Sequence, residues 1–133
     1  MIRGTNAEFR FNLPYNVSEL EIVKITFWQD GYSGPTSDRP LPITKVLSQC
    51  RLGDDARQLS VTLNQEETLR FTDKRKAKVQ LRATTYTGIP IANKEQLITV
   101  YPVRDDSILD SDHEILPAPT IDGWIYLDGE AIV

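Results

Sequence analysis

The residues that could support covalent catalysis are one cysteine, Cys50, and one histidine, His113. A cysteine nucleophile needs a base beside it, and His113 lies far along the chain in an acidic segment, although catalytic pairs meet in space rather than in sequence. We therefore interpret Cys50 as a packed thiol and expect no enzymatic activity. Because one cysteine cannot form an internal disulfide, the chain also fits synthesis in a reducing cytosol.

A second candidate for chemistry is the acidic run at residues 110–114, which resembles the start of a calcium-binding loop. Asp110, Asp112 and Glu114 place oxygen ligands at the first, third and fifth positions. Such a loop needs glycine at its sixth position and glutamate at its twelfth, but Ile115 and Ile121 stand there. This pattern favours a solvated acidic run over a calcium site, and we expect no metal and no cofactor.

Aromatic side chains are the third set, since they can stack against the apolar face of a sugar ring; they are Trp28, Tyr32, Tyr86, Trp124 and Tyr126. An aromatic residue in a strand is usually packed against its own protein. Tyr32 differs because it lies in a loop rich in Gly and Pro, where an aromatic side chain has little reason to be buried. Trp28 and Tyr32 are therefore the candidate residues of a glycan-binding site.

Short strands separated by turn residues would position these side chains. Polar and apolar residues alternate with a period of two, which is typical of strands with one buried face. The predicted strands cover residues 8–13, 22–29, 43–49, 59–63, 78–86 and 95–101. Asn64 and Glu67 form a capping box that predicts one short helix, and residues 31–42 predict a surface loop.

This pattern predicts an all-β fold, an antiparallel β-sandwich of immunoglobulin-like size with one short helix. The apolar phase of each strand predicts the interior of the sandwich. The expected core residues are Phe9, Phe11, Leu13, Val23, Ile25, Phe27, Leu59, Val61, Leu63, Val79, Leu81 and Leu97.

The last part of the chain differs in charge from the rest, so we divide the chain into a sandwich domain at 1–101 and an acidic arm at 102–133. All 15 Lys and Arg residues precede position 105, whereas residues 105–133 hold eight acids and no base. Like charges repel one another and predict an extended arm.

Apolar residues flanking Asp128-Gly129 predict a terminal hairpin. An isolated hairpin is barely stable in water, so we expect it to dock on a neighbouring protein. The alternative is that the tail folds back on its own sandwich. The expected partner-binding residues are Trp124, Ile125, Tyr126, Leu127 and Ile132.

Charge and hydropathy argue against two classes of partner. The net charge is −4, whereas nucleic-acid binding favours a basic stripe. No apolar run reaches the ~18 residues of a membrane-spanning helix, and residues 1–5 lack the apolar stretch of a signal peptide. We therefore expect no nucleic-acid partner and no membrane.

Four motifs resemble a known family; they are Met1-Ile2-Arg3-Gly4-Thr5, Phe9-x-Phe11-x-Leu13-Pro14, Val23-x-Ile25-Thr26-Phe27-x-Gln29-Asp30-Gly31 and Leu63-x-Gln65-Glu66-Glu67-Thr68-Leu69-x-Phe71. The chain resembles small β-sandwich proteins encoded among the virion genes of phages and prophages of Firmicutes and gut bacteria. It also loosely resembles N-terminal domains of phage upper-baseplate proteins. The resemblance covers residues 1–101, and the chain departs from it in the Pro-rich loop at 32–42 and in the acidic tail.

The resemblance implies a phage virion structural protein, a head decoration, neck, or tail and baseplate component, that acts through protein–protein contacts. Its expected partners are other virion proteins and copies of itself, and its expected location is the virion, after synthesis in the host bacterial cytoplasm. The alternative function is a carbohydrate-binding module for host-surface glycans that uses Tyr32 and Trp28.

Overall fold

The fold is an all-β sandwich of two facing sheets, as the strand pattern predicts. A computed structural model describes residues 1–104 and the backbone of residues 125–128 and 130–131. The strands in chain order are β1 (Ala7–Asn12), β2 (Leu20–Trp28), β3 (Ile43–Val46), β4 (Arg51–Leu52), β5 (Gln58–Leu63), β6 (Ala77–Thr85), β7 (Pro90–Ala92), β8 (Gln96–Ile98), β9 (Ile125–Asp128) and β10 (Glu130–Ala131), and helix α1 spans Gln65–Thr68.

The first sheet has the order β4-β5-β1-β9, and the second has the order β10-β7-β6-β2-β3, with β8 also paired to β6. The pairings between these strands are antiparallel except for β1 with β9, which is parallel. The predicted strand at 43–49 ends at Val46, where a 3₁₀ turn at Leu47–Gln49 carries the chain to the first sheet. The chain therefore crosses between the two sheets directly after β3.

The core lies between the sheets and is built by the predicted alternation. On β1, Phe9 and Phe11 are fully buried, and their Cα atoms lie opposite Val61 and Leu59 of β5. The rings of Phe9 and Phe27 meet across the sandwich with their centroids 4.9 Å apart and their planes tilted by 57°, a favourable arrangement for two aromatic rings. The predicted core is confirmed except at Leu97.

The prediction is wrong at Leu97, which is 60% exposed. The register of β8 on β6 places Leu97 opposite Lys78 and Ile98 opposite Ala77. Lys78 lies on the outer face of the sheet, so Leu97 does too, and Ile98 is buried instead. A shift of one residue in a strand exchanges its two faces, and the short apolar run around Leu97 does not define the phase.

A buried asparagine separates β7 from β8 along the same side of β6. Asn93 is 2% exposed, and its side-chain Oδ1 accepts a hydrogen bond from the Leu81 amide at 2.6 Å. The Asn93 amide donates to the Leu81 carbonyl at 3.3 Å. The side chain thus replaces a ladder bond where the strand is interrupted, a feature that the strand pattern did not predict.

Helix α1 has the predicted capping box. Asn64 Oδ1 accepts from the Glu67 amide at 2.9 Å, and Glu67 Oε1 accepts from the Asn64 amide at 3.0 Å. Glu67 Oε2 also lies 2.7 Å from Lys45 Nζ, with both side chains largely buried, so this one carboxylate caps α1 and ties it to β3. None of the helices within the described ranges has the length and apolar character needed to cross a membrane.

The N-terminal motif forms hydrogen bonds with α1 and with the residues that follow it. Arg3 Nε donates to the Phe71 carbonyl at 2.7 Å, and the Gly4 amide donates to Thr68 Oγ1 at 2.9 Å. Gly4 has φ of +79°, a conformation that residues with a Cβ rarely adopt. These hydrogen bonds therefore hold the first residues of the chain against α1 and the residues after it.

We expect Leu81→Ala to lower the free energy of unfolding by about 2–5 kcal/mol, because it removes a fully buried side chain from the centre of β6. Leu97→Ala is the matched control, and we expect it to change the free energy by less than about 0.5 kcal/mol because Leu97 is exposed. Chemical denaturation measures both values. Equal losses in the two variants would contradict the register of β6 and β8.

Candidate functional site

The candidate ligand site is a depression on the outer face of the second sheet, where β2 and β6 run side by side. It encloses about 690 Å³ and is bounded by the loop at residues 30–42. Trp28 and Tyr32, the two predicted glycan-binding residues, both line it. The structure therefore brings together two aromatic side chains that the sequence placed in a strand and in a loop.

The loop holds its shape through contacts near its two ends. Leu41 is buried, and its amide donates to the Ser33 carbonyl at 2.9 Å. Gly34 has φ of +107°, and a Cβ at this position would lie 2.1 Å from the Arg39 carbonyl oxygen. A glycine is required here because the two arms of the loop pass so close. Tyr32 is half-buried and packs against the core, which corrects the expectation that an aromatic side chain in this loop has little reason to be buried. It also lines the depression.

Gln29 anchors the end of β2 beneath the site. It is 3% exposed, and its Nε2 donates to the carbonyls of Thr72 and Arg75, each at 2.8 Å. Its Oε1 accepts from the Thr72 amide at 2.9 Å. A buried amide with these three hydrogen bonds fixes the backbone on which the neighbouring Trp28 is carried.

The indole of Trp28 is held in place by Asp30. Trp28 Nε1 donates to Asp30 Oδ1 at 3.1 Å, and Lys78 Nζ lies 2.5 Å from Asp30 Oδ2. The hydrogen bonds from Lys78 and Trp28 lower the pKa of the Asp30 carboxyl, and the bond to Asp30 raises the pKa of Lys78. The hydrogen bond from the indole to Asp30, which in turn pairs with Lys78, orients the Trp28 ring at the depression.

Polar side chains form the floor of the depression, and sequence reasoning did not assign them to a site. The register pairs Lys24 with Arg82 and Thr26 with Gln80 across β2 and β6, and all four line the depression. The alternation of the two strands predicts that they face outward. Only the pairing of β2 with β6 brings them together, and the sequence does not give that pairing.

The candidate partner-binding segment lies at an edge of the sandwich. Strand β9 pairs with β1 and places Ile125 and Leu127 opposite Phe9 and Phe11, while β10 pairs with β7. This corrects the predicted hairpin, since β9 and β10 belong to different sheets. The open backbone edges of β1 and β7 pair with this segment, in place of the hairpin that the Asp-Gly sequence predicts. Within one chain, the two tail strands pair with their own sandwich, which is the alternative given in the sequence analysis.

Several predicted site residues lie elsewhere. Trp124, Ile132, His113 and the acidic run at 110–114 lie outside the described residues, and the Tyr126 backbone lies in β9. Tyr86 is 70% exposed and does not line the depression with Trp28. Among residues 1–104 and the two tail strands, no group of three or more His, Cys, Asp or Glu side chains is placed to hold a metal ion.

Cys50 lies between β3 and β4 and is half-buried. Burial raises the pKa of its thiol to about 11, with Lys45 opposing the shift. Its Sγ donates to the Val46 carbonyl at 3.3 Å. A thiol in this state is a poor nucleophile, because the thiolate is the reactive form.

No family model matches the chain, and no curated protein matches it either.

We expect Cys50 to react with iodoacetamide at pH 8 about 100-fold more slowly in the folded chain than in denaturant, because its pKa is about 11 rather than 9.0. The folded chain keeps a proton that the unfolded chain loses above pH 9, so the free energy of unfolding should fall as the pH rises from 9 towards 11. Mass spectrometry measures the alkylation rate.

A Cys50→Ser, Ser48→Cys variant is the matched control, since Ser48 is exposed in the same turn, and its thiol should react at nearly the denatured rate. A fast reaction of Cys50 in the folded wild-type chain would contradict the buried thiol.

Proposed function

We propose that the chain is a phage virion structural protein whose subunits interlock by exchanging the C-terminal segment 125–131. Its partners are then other virion proteins and copies of itself, and its location is the virion. The observation that carries the proposal is that this one segment adds a strand to each of the two sheets. The resemblance of residues 1–101 to phage virion proteins supports the same function.

The segment occupies the places at which the rest of the chain is open. Without β9 and β10, β1 is the edge of the first sheet and β7 is an edge of the second. An unpaired edge offers a row of amides and carbonyls to any available strand. Only residue 129 separates β9 from β10, so these two edges face the same side of the sandwich and form one acceptor surface.

The length of the preceding chain allows the same pairing between subunits. Residues 105–124 number 20 and can span at most about 66–72 Å when extended. This is several times the spacing of two packed sheets, which is about 10 Å. A neighbouring copy within that reach can receive the segment in the same register, and exchange of an identical element is a low-cost route to assembly.

A buried apolar cluster lies within the part of the sandwich formed by residues 1–104. Among the residues whose side chains the structure describes, its members run from Ala7 to Val100. Donation of 125–131 to a neighbour would leave each subunit with this cluster and with open edges on β1 and β7. This division of roles is what an interlocking subunit requires.

Cysteine pairs at β1 and β9 test exchange directly. Asn12 pairs with Asp128, and paired strands lie about 4.8 Å apart, within the range that a disulfide spans. We expect that Asn12→Cys and Asp128→Cys chains, each carrying Cys50→Ser, give a disulfide-linked dimer after they are refolded together. Electrophoresis without reductant measures the dimer.

The matched control replaces Asp128→Cys by Tyr86→Cys, because Tyr86 is exposed and reports random collision. Exchange predicts a much larger yield from the register pair than from the control pair. If the register pair gives no more dimer, while a chain with both cysteines closes internally, the segment serves its own sandwich and exchange is wrong.

Purified particles test the virion role. We expect mass spectrometry of phage particles from the producing host to detect peptides of this chain at a copy number typical of a repeated subunit. Particles that assemble fully and contain none of the chain would contradict the virion role, whatever the cross-linking shows.

A second candidate function, binding of a host-surface glycan, is favoured by one specific observation. Trp28 and Tyr32 line the same outer depression, whose floor carries polar side chains. Aromatic rings beside a few polar groups form a typical small-molecule site. The depression lies on the second sheet and does not include β1 or β7, so the two functions do not compete for the same surface.

A further inference from the structure

We propose that the depression binds a carboxylated glycan, with Lys24 and Arg82 as the residues that recognise the carboxylate. This inference rests on the glycan-binding function and names its class of ligand. The aromatic residues Trp28 and Tyr32 supply the packing surface for the sugar ring, and the basic pair supplies the charge that separates acidic from neutral sugars.

The basic pair is costly for the fold on its own. Lys24 and Arg82 lie directly opposite each other across two antiparallel strands, where like charges destabilise the pairing. Both side chains are exposed, and neither forms an ion pair with a described residue. An anion bound by the Lys24 and Arg82 side chains together would relieve this repulsion.

The acids around the depression do not relieve it, because they have another partner. Asp30 and Glu95 line the depression, and their carboxylates lie 2.5 and 3.5 Å from Lys78 Nζ. Asp30 also accepts from Trp28. The acids of the depression are thus paired with Lys78, and within residues 1–104 no carboxylate forms an ion pair with Lys24 or Arg82.

The neighbouring groups suit a sugar better than a bare anion. Thr26 and Gln80 face each other beside the basic pair. Thr26 offers a hydroxyl to sugar hydroxyls, and Gln80, whose Nε2 donates to the Asn93 carbonyl at 3.1 Å, offers its amide oxygen. Trp28 follows on the same face of β2, and Tyr32 closes the depression from the loop. Charge, neutral hydrogen-bonding groups and aromatic rings therefore follow one another along a single surface, as a carboxylated sugar requires.

Oligogalacturonate and its methyl ester are the test ligands, since they share one sugar backbone and differ in charge. We expect the full-length chain to bind the acid at least tenfold more tightly than the ester in isothermal titration calorimetry. Lys24→Gln and Arg82→Gln should each weaken binding of the acid about tenfold, because each removes a charge-assisted contact, and should leave binding of the ester unchanged.

Arg57→Gln is the matched charge control, since Arg57 is exposed in the turn before β5, and Tyr86→Ala is the control for Tyr32→Ala. Neither control should alter binding, whereas Tyr32→Ala should weaken binding of the acid and the ester alike. Lys24→Gln should also raise the stability of the free chain slightly, a readout that does not depend on any ligand.

The outcomes separate the two levels of the claim. Equal binding of the acid and the ester would contradict recognition of the carboxylate, while the glycan-binding function would stand. Binding of neither overturns the glycan function as well. Equal binding of polyphosphate, with the same dependence on Lys24 and Arg82, would contradict the claim that the site recognises a sugar. If instead a peptide of residues 105–122 binds there and no glycan does, the occupant is the acidic arm and the proposal is wrong.

Discussion

Phe9 and Phe27 meet in the middle of the sandwich with ring centroids 4.9 Å apart and join the first sheet to the second. Burial of each such side chain contributes about 1.5–3 kcal/mol, and both are fully buried. Because β1 and β2 are fixed face to face, their outward residues and their edges are fixed too. The aromatic depression lies on the far side of β2, and the acceptor edge for β9 lies along β1. Both candidate surfaces thus depend on this one apolar layer.

The two surfaces use different parts of the sheets and different physical interactions. At the edges of β1 and β7, the proposed exchange between subunits rests on backbone amides and carbonyls, with which almost any strand of suitable register can pair. On the outer face of β2 and β6, the proposed ligand recognition rests on side chains, the charge of Lys24 and Arg82 and the rings of Trp28 and Tyr32. A subunit built in this way can be held in an assembly by its edges while its outer face stays accessible to a ligand.

The fold class, helix α1 and most of the core could be predicted from the sequence, because alternation and capping are local patterns. The exposed position of Leu97 could not be predicted, because β8 is so short that only its register on β6 shows which of its side chains face the core. The short strand β7 was missed because Pro90 and Gly88 indicate a turn, and the proline stands at the first position of that strand, where it is tolerated. The partners of β9 and β10 were also missed, because pairing with a distant edge leaves no local trace. For the same reason the sequence showed Trp28 and Tyr32 as candidates but not the Lys24 and Arg82 pair on the same outer face.

The most direct measurement is hydrogen–deuterium exchange of the β1 and β7 amides in the chain truncated after Arg104, alone and mixed with an excess of the full-length chain. The truncated chain can receive residues 125–131 but cannot donate them. We expect its β1 and β7 amides to exchange faster than in the full-length chain, and to regain protection in the mixture. Unchanged protection on truncation would contradict the pairing of β9 and β10 with these strands. Lost protection that the full-length chain does not restore would contradict exchange between subunits.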